Sequence, residues 1–152
     1  MGRPSTYEVE YEQMLLSRYG LQQHRAGHGG GRRLERSAYV LLSRLRVQGP
    51  MSIGELSDAL GLDASTLNRQ TAAVVRARQA ERIPDPAGGT ARKFRITEEG
   101  SRLLDEERER TAETLERVMA EWPEQDVAAF AGYLKRFNAG IERLSGRPWP
   151  RP

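Results

Sequence analysis

Cysteine is absent from the 152-residue chain. Disulfides, thiolate zinc sites and thiol-based redox sensing are therefore excluded, and a cytoplasmic protein is the expected source of such a composition. Histidine occurs twice, at His24 and His28. Two imidazoles without cysteine companions do not make a convincing metal site, and neither a metal nor a cofactor is expected. Lysine is almost as scarce, with Lys93 and Lys135 the only two among 24 basic residues. Arginine thus carries the positive charge, which suits phosphate and guanine contacts although a GC-rich genome produces the same bias. No apolar run approaches the roughly 18 residues of a membrane span, so a soluble protein without a membrane partner is expected. No nucleophile converges with an acid or base in the pattern catalysis needs, and the chain does not read as an enzyme.

What is present is mostly polar. Hydrophobic residues make up 38% and charged residues 30%, a balance that points to long exposed helices or a subunit interface, and hence to a homodimer. The length suits a single domain with helical extensions, residues 1–152. The net charge of +3 is unevenly placed. Between Asp63 and Arg95 the acids Asp63, Glu81 and Asp85 face seven cations, Arg69, Arg76, Arg78, Arg82, Arg92, Lys93 and Arg95. The segment from Glu98 to Asp126 is strongly acidic. A basic partner surface is expected in the middle of the chain.

Periodicity predicts a first amphipathic helix near residues 5–25, with Tyr7, Tyr11, Met14, Leu15 and Arg18 on one stripe. The glycine run at residues 27–31 lacks the Gly-Lys-Ser/Thr ending of a phosphate loop and reads as a connector. Leu34, Ala38, Leu41, Leu42 and Leu45 give a core helix that Gly49-Pro50 stops. "SIGE" is a capping box, Ser52 to Glu55, and opens a short helix that Gly61 closes. Asp63 then occupies an N-cap position for a helix whose buried stripe is Leu67, Thr71, Val74 and Val75. Turn residues Pro86 to Gly89 followed by alternating Lys93, Phe94, Arg95 and Ile96 predict a hairpin with a basic tip. Thr97 caps a long helix supported by Glu98–Arg102, Glu106–Arg110 and Glu113–Arg117 pairs. After Pro123, the residues Val127, Phe130, Leu134, Phe137, Ile141 and Leu144 form a helical seam. The closing "GRPWPRP" reads as a frayed tail.

Helix, glycine turn and helix is the outline of a helix-turn-helix, whose second helix presents its N-terminal part to base edges in the major groove. Ala64, Ser65 and Thr66 are small enough to let that helix sink into a groove, and Asn68, Arg69 and Gln70 reach further. With Ser52 at the entry to the first helix and Arg92 and Lys93 on the hairpin, these residues make up the expected DNA-contacting set. Taken alone, "DASTLNRQ" could equally be an ordinary capped surface helix. A winged helix used as a protein–protein interaction module, without specific DNA binding, is the alternative function.

From Leu34 to Leu104 the chain resembles the multiple-antibiotic-resistance regulator (MarR) family, above all in "LSDALGLDASTLNRQTAAVV" and "RITEEG". The resemblance implies a mainly α fold with a small β-hairpin wing. It places a winged helix-turn-helix at residues 34–104, flanked by dimerisation helices at 5–25 and 98–145. It further implies a homodimer that binds double-stranded operator DNA, with Tyr7, Tyr11, Met14 and the Val127 to Leu144 seam at the interface. A ligand or an oxidant releases such regulators from DNA, and Tyr19, His24, His28 and Tyr39 are the groups expected near a small-molecule effector's site. The wing departs from the family pattern. Gly88, Gly89 and Thr90 stand where an Asp-x-Arg tip is usual, so Arg92 or Lys93 would have to substitute.

Overall fold

The computed structural model describes residues 1–26 and 34–152 and, within them, all side chains but those of 20–26. Two compact units divide the chain, Met1–Arg36 and Ser37–Pro152. The first contains α1 (Pro4–Ala26). Pro4 sits in its first turn, where a missing N–H costs nothing. Tyr7, Tyr11, Met14 and Leu16 are all exposed on it.

The second unit holds α2 (Arg36–Gln48) from its second residue on, α3 (Ile53–Leu60), α4 (Ala64–Arg76), β1 (Ala80–Ile83), β2 (Lys93–Ile96), α5 (Glu98–Val118) and α6 (Glu124–Ser145). Local chemistry explains most of these boundaries. Gly49 ends α2 with φ of 91°, a left-handed conformation that glycine adopts without strain. Ser52 Oγ accepts the Glu55 amide at 3.2 Å while Glu55 Oε2 accepts the Ser52 amide at 3.1 Å, so the expected capping box is complete. Gly61, with φ of 66°, donates its amide to Ser57 O and closes α3. Thr97 Oγ1 accepts the Gly100 amide and starts α5.

The hairpin is antiparallel, pairing Ala80 with Ile96 and Ile83 with Lys93. A third short segment joins it, since Met51 and Phe94 exchange two backbone hydrogen bonds of 3.1 and 2.8 Å. The buried apolar residues of this unit run from Leu41 to Leu104, with Leu41, Leu42, Leu56, Leu67 and Leu104 fully enclosed. Gly100, Leu103 and Leu104 on the first turns of α5 belong to this core. The long acidic helix therefore begins as part of the lobe and leaves it only further along.

Two expectations change. The side chain of Arg102 is gripped by Glu99 and Glu106, and Arg110 pairs with Glu107, so the ion pairs of α5 use other glutamates than the assumed partners. The tail after α6 is not frayed. Arg147 Nε donates to Asp58 O at 3.2 Å, and Arg44 Nη1 donates to Pro148 O at 3.3 Å. In contrast, α6 itself contributes no buried residue. Phe130, Leu134, Phe137, Ile141 and Leu144 stay exposed along it, Leu144 at 92%.

Candidate nucleic-acid interface

Leu67, Thr71 and Val74 anchor α4 in the core, and the Thr71 hydroxyl is spent internally on Leu67 O at 2.7 Å. A helix held by that stripe must turn its other face outward. Ala64, Ser65, Asn68 and Arg69 are exposed there, and Thr66 and Gln70 half-buried. Of the residues expected to contact DNA, those on α4 thus lie outward or at the edges of the outward face at the start of a helix anchored from behind, whereas Ser52 caps α3 and Arg92 and Lys93 belong to the hairpin.

The hydroxyls on that face are already engaged. Asp63 Oδ1 accepts the Thr66 amide at 2.7 Å and Ser65 Oγ at 2.6 Å, and Asp63 Oδ2 accepts Thr66 Oγ1 at 3.1 Å. Arg69 Nη2 in turn donates to Thr66 Oγ1 at 3.3 Å. The Ser65 hydroxyl, the Thr66 amide and the Thr66 hydroxyl together hold the Asp63 carboxyl at a pKa of about 2, below its ordinary 3.8. The carboxylate is therefore a permanent acceptor at neutral pH. It organises the helix start while offsetting part of the positive end of the helix dipole.

The wing is less basic at its tip than its sequence suggests. Asp85 Oδ1 accepts the Ala87 amide at 2.9 Å, and Gly88 N donates to Asp85 O at 2.9 Å, which closes a tight turn around Pro86. Gly88 takes a φ of 85° there. A Cβ on Gly89 would stand 2.3 Å from Asp85 Oδ2, so this glycine makes room for the folded-in carboxylate. Lys93 lies at the start of β2, its Nζ 3.1 Å from Glu55 Oε1 and 3.7 Å from Asp85 Oδ1. The hydrogen bond to Glu55 raises its pKa above the usual lysine value. Lys93 thus braces the wing against the α3 N-terminus, where Glu55 also serves the Ser52 cap. Arg92 is exposed and makes no hydrogen bond or ion pair among the described residues. Arg82, not singled out from the sequence, packs its guanidinium over Phe94 at 5.5 Å and is exposed beside it. Its cue was a basic residue in a strand whose partner presents a buried aromatic. Arg95 is paired with Glu81 across the hairpin.

The residues expected to surround an effector are only partly placed. Tyr39 is half-buried on α2 and Tyr19 is 40% exposed on α1. His28 and the side chain of His24 lie outside the described residues. Among the described residues, no group of three or more His, Cys, Asp or Glu could hold a metal ion, and no helix is long and apolar enough to cross a membrane.

This geometry can be set beside known proteins. No family model matches the sequence. YxaD of Bacillus subtilis, an HTH-type transcriptional regulator, is 35% identical over 130 residues, covering 86% of this chain and 90% of that protein. A MarR family protein from Bacillus stearothermophilus superposes with a TM-score of 0.78 at 20% identity, over 93% of this chain and 98% of that one. The PcaV transcriptional regulator from Streptomyces coelicolor, solved in complex with its natural ligand, gives a TM-score of 0.63 at 19% identity, over 93% and 99% of the two chains. The capped short helix, the glycine turn, the outward-facing α4 and the wing all agree with these likenesses: the chain belongs to the HTH-type transcriptional regulators and has the winged helix-turn-helix fold of the MarR family.

Proposed function

We propose that the chain acts as a homodimeric, sequence-specific DNA-binding regulator, a ligand-responsive repressor on a pseudo-palindromic operator. The exposed face of α4 carries this reading. It combines small residues at Ala64, Ser65 and Thr66 with the longer donors Asn68, Arg69 and Gln70, on a helix pinned by Leu67, Thr71 and Val74. Such a face fits the width of a major groove, and side chains of these types read base edges.

The second copy is supported by α6. A 22-residue helix without a buried side chain, bearing Phe130, Leu134, Phe137 and Ile141 at three- and four-residue spacing, needs a partner surface. The exposed Tyr7, Tyr11 and Met14 of α1 are likewise assigned to contacts with the second copy in this reading. An effector role is supported by PcaV, whose structure contains its natural ligand. Arg92 and Arg82 supply the wing's phosphate contacts, and Lys93 keeps the wing in place.

A gel-shift titration against the promoter next to the protein's own gene tests the reading, run beside sedimentation of the free protein. Two lobes should protect half-sites centred about 10 bp apart or a small multiple of it. A stable folded monomer at micromolar concentration, or a footprint over one asymmetric half-site, would refute the dimeric operator. Equal affinity for promoter and scrambled DNA would refute sequence-specific binding and favour the protein-interaction alternative.

A further inference from the structure

The segment after α6 is short, rich in proline, and tied down at Arg147, Pro148, Trp149 and Arg151. Gly146, with φ of 67°, ends the helix. Arg147 then lays its guanidinium against the turn of the helix-turn-helix, where a Cβ on Gly61 would come within 3.0 Å of Arg147 Nε and Cζ. Its Nε donates to Asp58 O, in the last turn of α3. One residue on, Pro148 O accepts from Arg44 Nη1, and the Trp149 ring stacks on the Arg44 guanidinium at 5.0 Å. Arg44 is 7% exposed and has no carboxylate partner among the described residues. Gln48, Pro148 and Trp149 are its compensation. The circuit closes on α6, where Glu142 accepts the Trp149 amide at 3.2 Å and pairs with Arg151.

These contacts join α6 to α2 and α3, a connection the core does not make, since α2 and α3 share the core and α6 does not. The α6 helix puts nothing into the core, and the chain enters it through the 119–123 turn at the end of α5. That turn lies roughly 30 Å of helix beyond the first turn of α5, at about 1.5 Å per residue. Fastened through Glu142, Trp149 and Arg147, the C-terminal end of α6 is fixed to α2 and to the turn that orients α4.

We propose that residues 147–151 form a strap that holds α6 at a set position relative to the recognition helix, making Arg147 and Trp149 positioning residues for operator spacing. The inference rests on the dimeric DNA-binding reading. If α6 meets its copy across the two-fold axis, the strap transmits that axis to each α4 and sets the separation of the two recognition helices. Operators with the wrong spacing are then rejected because the strap resists the movement needed to reach them.

The experiment uses the full-length chain, the Arg147→Ala and Trp149→Ala double variant, and a chain ending at Gly146. Sedimentation and circular dichroism first establish that each is folded and dimeric. Each is then titrated against the operator and against operators with one or two base pairs added to or removed from the spacer. The ratio of native to shifted affinity should fall by about fivefold or more in both variants, the lower end of ordinary coupling between sites. Trp149→Tyr, which keeps an aromatic face over Arg44, should restore most of it. An unchanged ratio, even with uniformly weaker binding, would overturn the proposal, because a merely structural tail lowers all affinities alike.

A readout without DNA separates this from the regulator reading. The natural chain has no cysteine, so Arg76→Cys on α4 and Lys135→Cys on α6 accept spin labels alone, with labelled chains diluted in unlabelled ones. The distance distribution should be narrow in the parent and broad without the strap. Equal widths would refute the strap. A broadened distribution in a protein that fails to bind its promoter would refute the operator reading and leave the strap standing.

Discussion

Gly100 opens a test in which two ordinary effects oppose each other. It lies in the first turn of α5, and in an exposed helix interior Gly→Ala gains about 1 kcal/mol. At this position, however, a Cβ would stand 2.0 Å from the carbonyl oxygen of Gln79 and 3.0 Å from Ile96 Cγ1. Cβ contacts do not fall below 3.0 Å, so the helix or that carbonyl must retreat by at least about 1 Å. The carbonyl is not free to do so, since Gln79 O accepts the Thr97 amide at 3.0 Å and the preceding Arg78 O accepts Thr97 Oγ1 at 2.7 Å. Overpacking of this kind costs about 1–3 kcal/mol, and loosening the Thr97 bond adds roughly 0.5–1.5 kcal/mol. Against the helix gain, the net loss centres on about 2 kcal/mol, or a Tm lower by about 4–8 °C for a chain of this size. Gly132→Ala is the control, since nothing lies within 4 Å of its Cβ in α6. It should be neutral or raise Tm by up to about 4 °C. Calorimetry at one fixed protein concentration decides the matter. If Gly100→Ala melts at or above the parent temperature, close approach of α5 to Gln79 is not what this glycine provides.

Four further outcomes are expected. Leu67→Ala, at a fully enclosed site, should lose about 2–5 kcal/mol in urea unfolding; a loss below 1 kcal/mol would mean that α4 is not anchored as described. The Asp63 carboxyl should titrate at about 2 by NMR, and Ser65→Ala should raise that value. Because the folded pKa is depressed, this group's stabilisation is fully present above pH 4 and is lost as pH falls toward 2, so an ordinary titration near 3.8 would contradict the cap network. Arg69→Ala should weaken operator binding by about 1–3 kcal/mol and relax the preference at particular base pairs, whereas an equal loss on all sequences would reduce Arg69 to a phosphate contact. Arg92→Ala should lower the log–log salt slope by roughly one unit per site, with a smaller change for Lys93→Ala because Glu55 already holds that ammonium; the reverse order would show that the brace opens on DNA.

Features encoded within a few residues were legible. Ser52 with Glu55, Gly61, Asp63 and Thr97 act within one turn of themselves, and the stripe of Leu67, Thr71 and Val74 follows from helical period alone. The ion pairs of α5 were legible as a class but not as partners, because Arg102 has Glu98, Glu99 and Glu106 all within one turn and side-chain rotamers choose among them. What escaped reading was long-range. Lys93 meets Glu55 across 38 positions, Arg147 meets Asp58 across 89, and Arg44 meets Pro148 across 104. Composition misled at the tail, where glycine and proline suggest freedom from local structure but say nothing of contacts supplied by α2 and α3. The Met51 bridge to Phe94 is a single residue, too short for any periodic signal.

If α4 reads DNA as proposed, the grip of Asp63 on Ser65 and Thr66 makes recognition an exchange reaction. A hydroxyl that leaves Asp63 for a base gives up one short hydrogen bond to gain another, so its net gain is small. At a wrong base it simply keeps Asp63, so it is never stranded without an acceptor and the mismatch carries little penalty. Discrimination that depends on leaving a donor unsatisfied must then come from a group with nothing to fall back on. Arg69 can return to Thr66. Among the described residues the Asn68 side chain has no such partner, and it is exposed on the same face. In that reading the amides of Asn68 and Gln70, each capable of a bidentate pair with adenine, carry the larger penalty at a wrong base, beside the base edge that Arg69 reads.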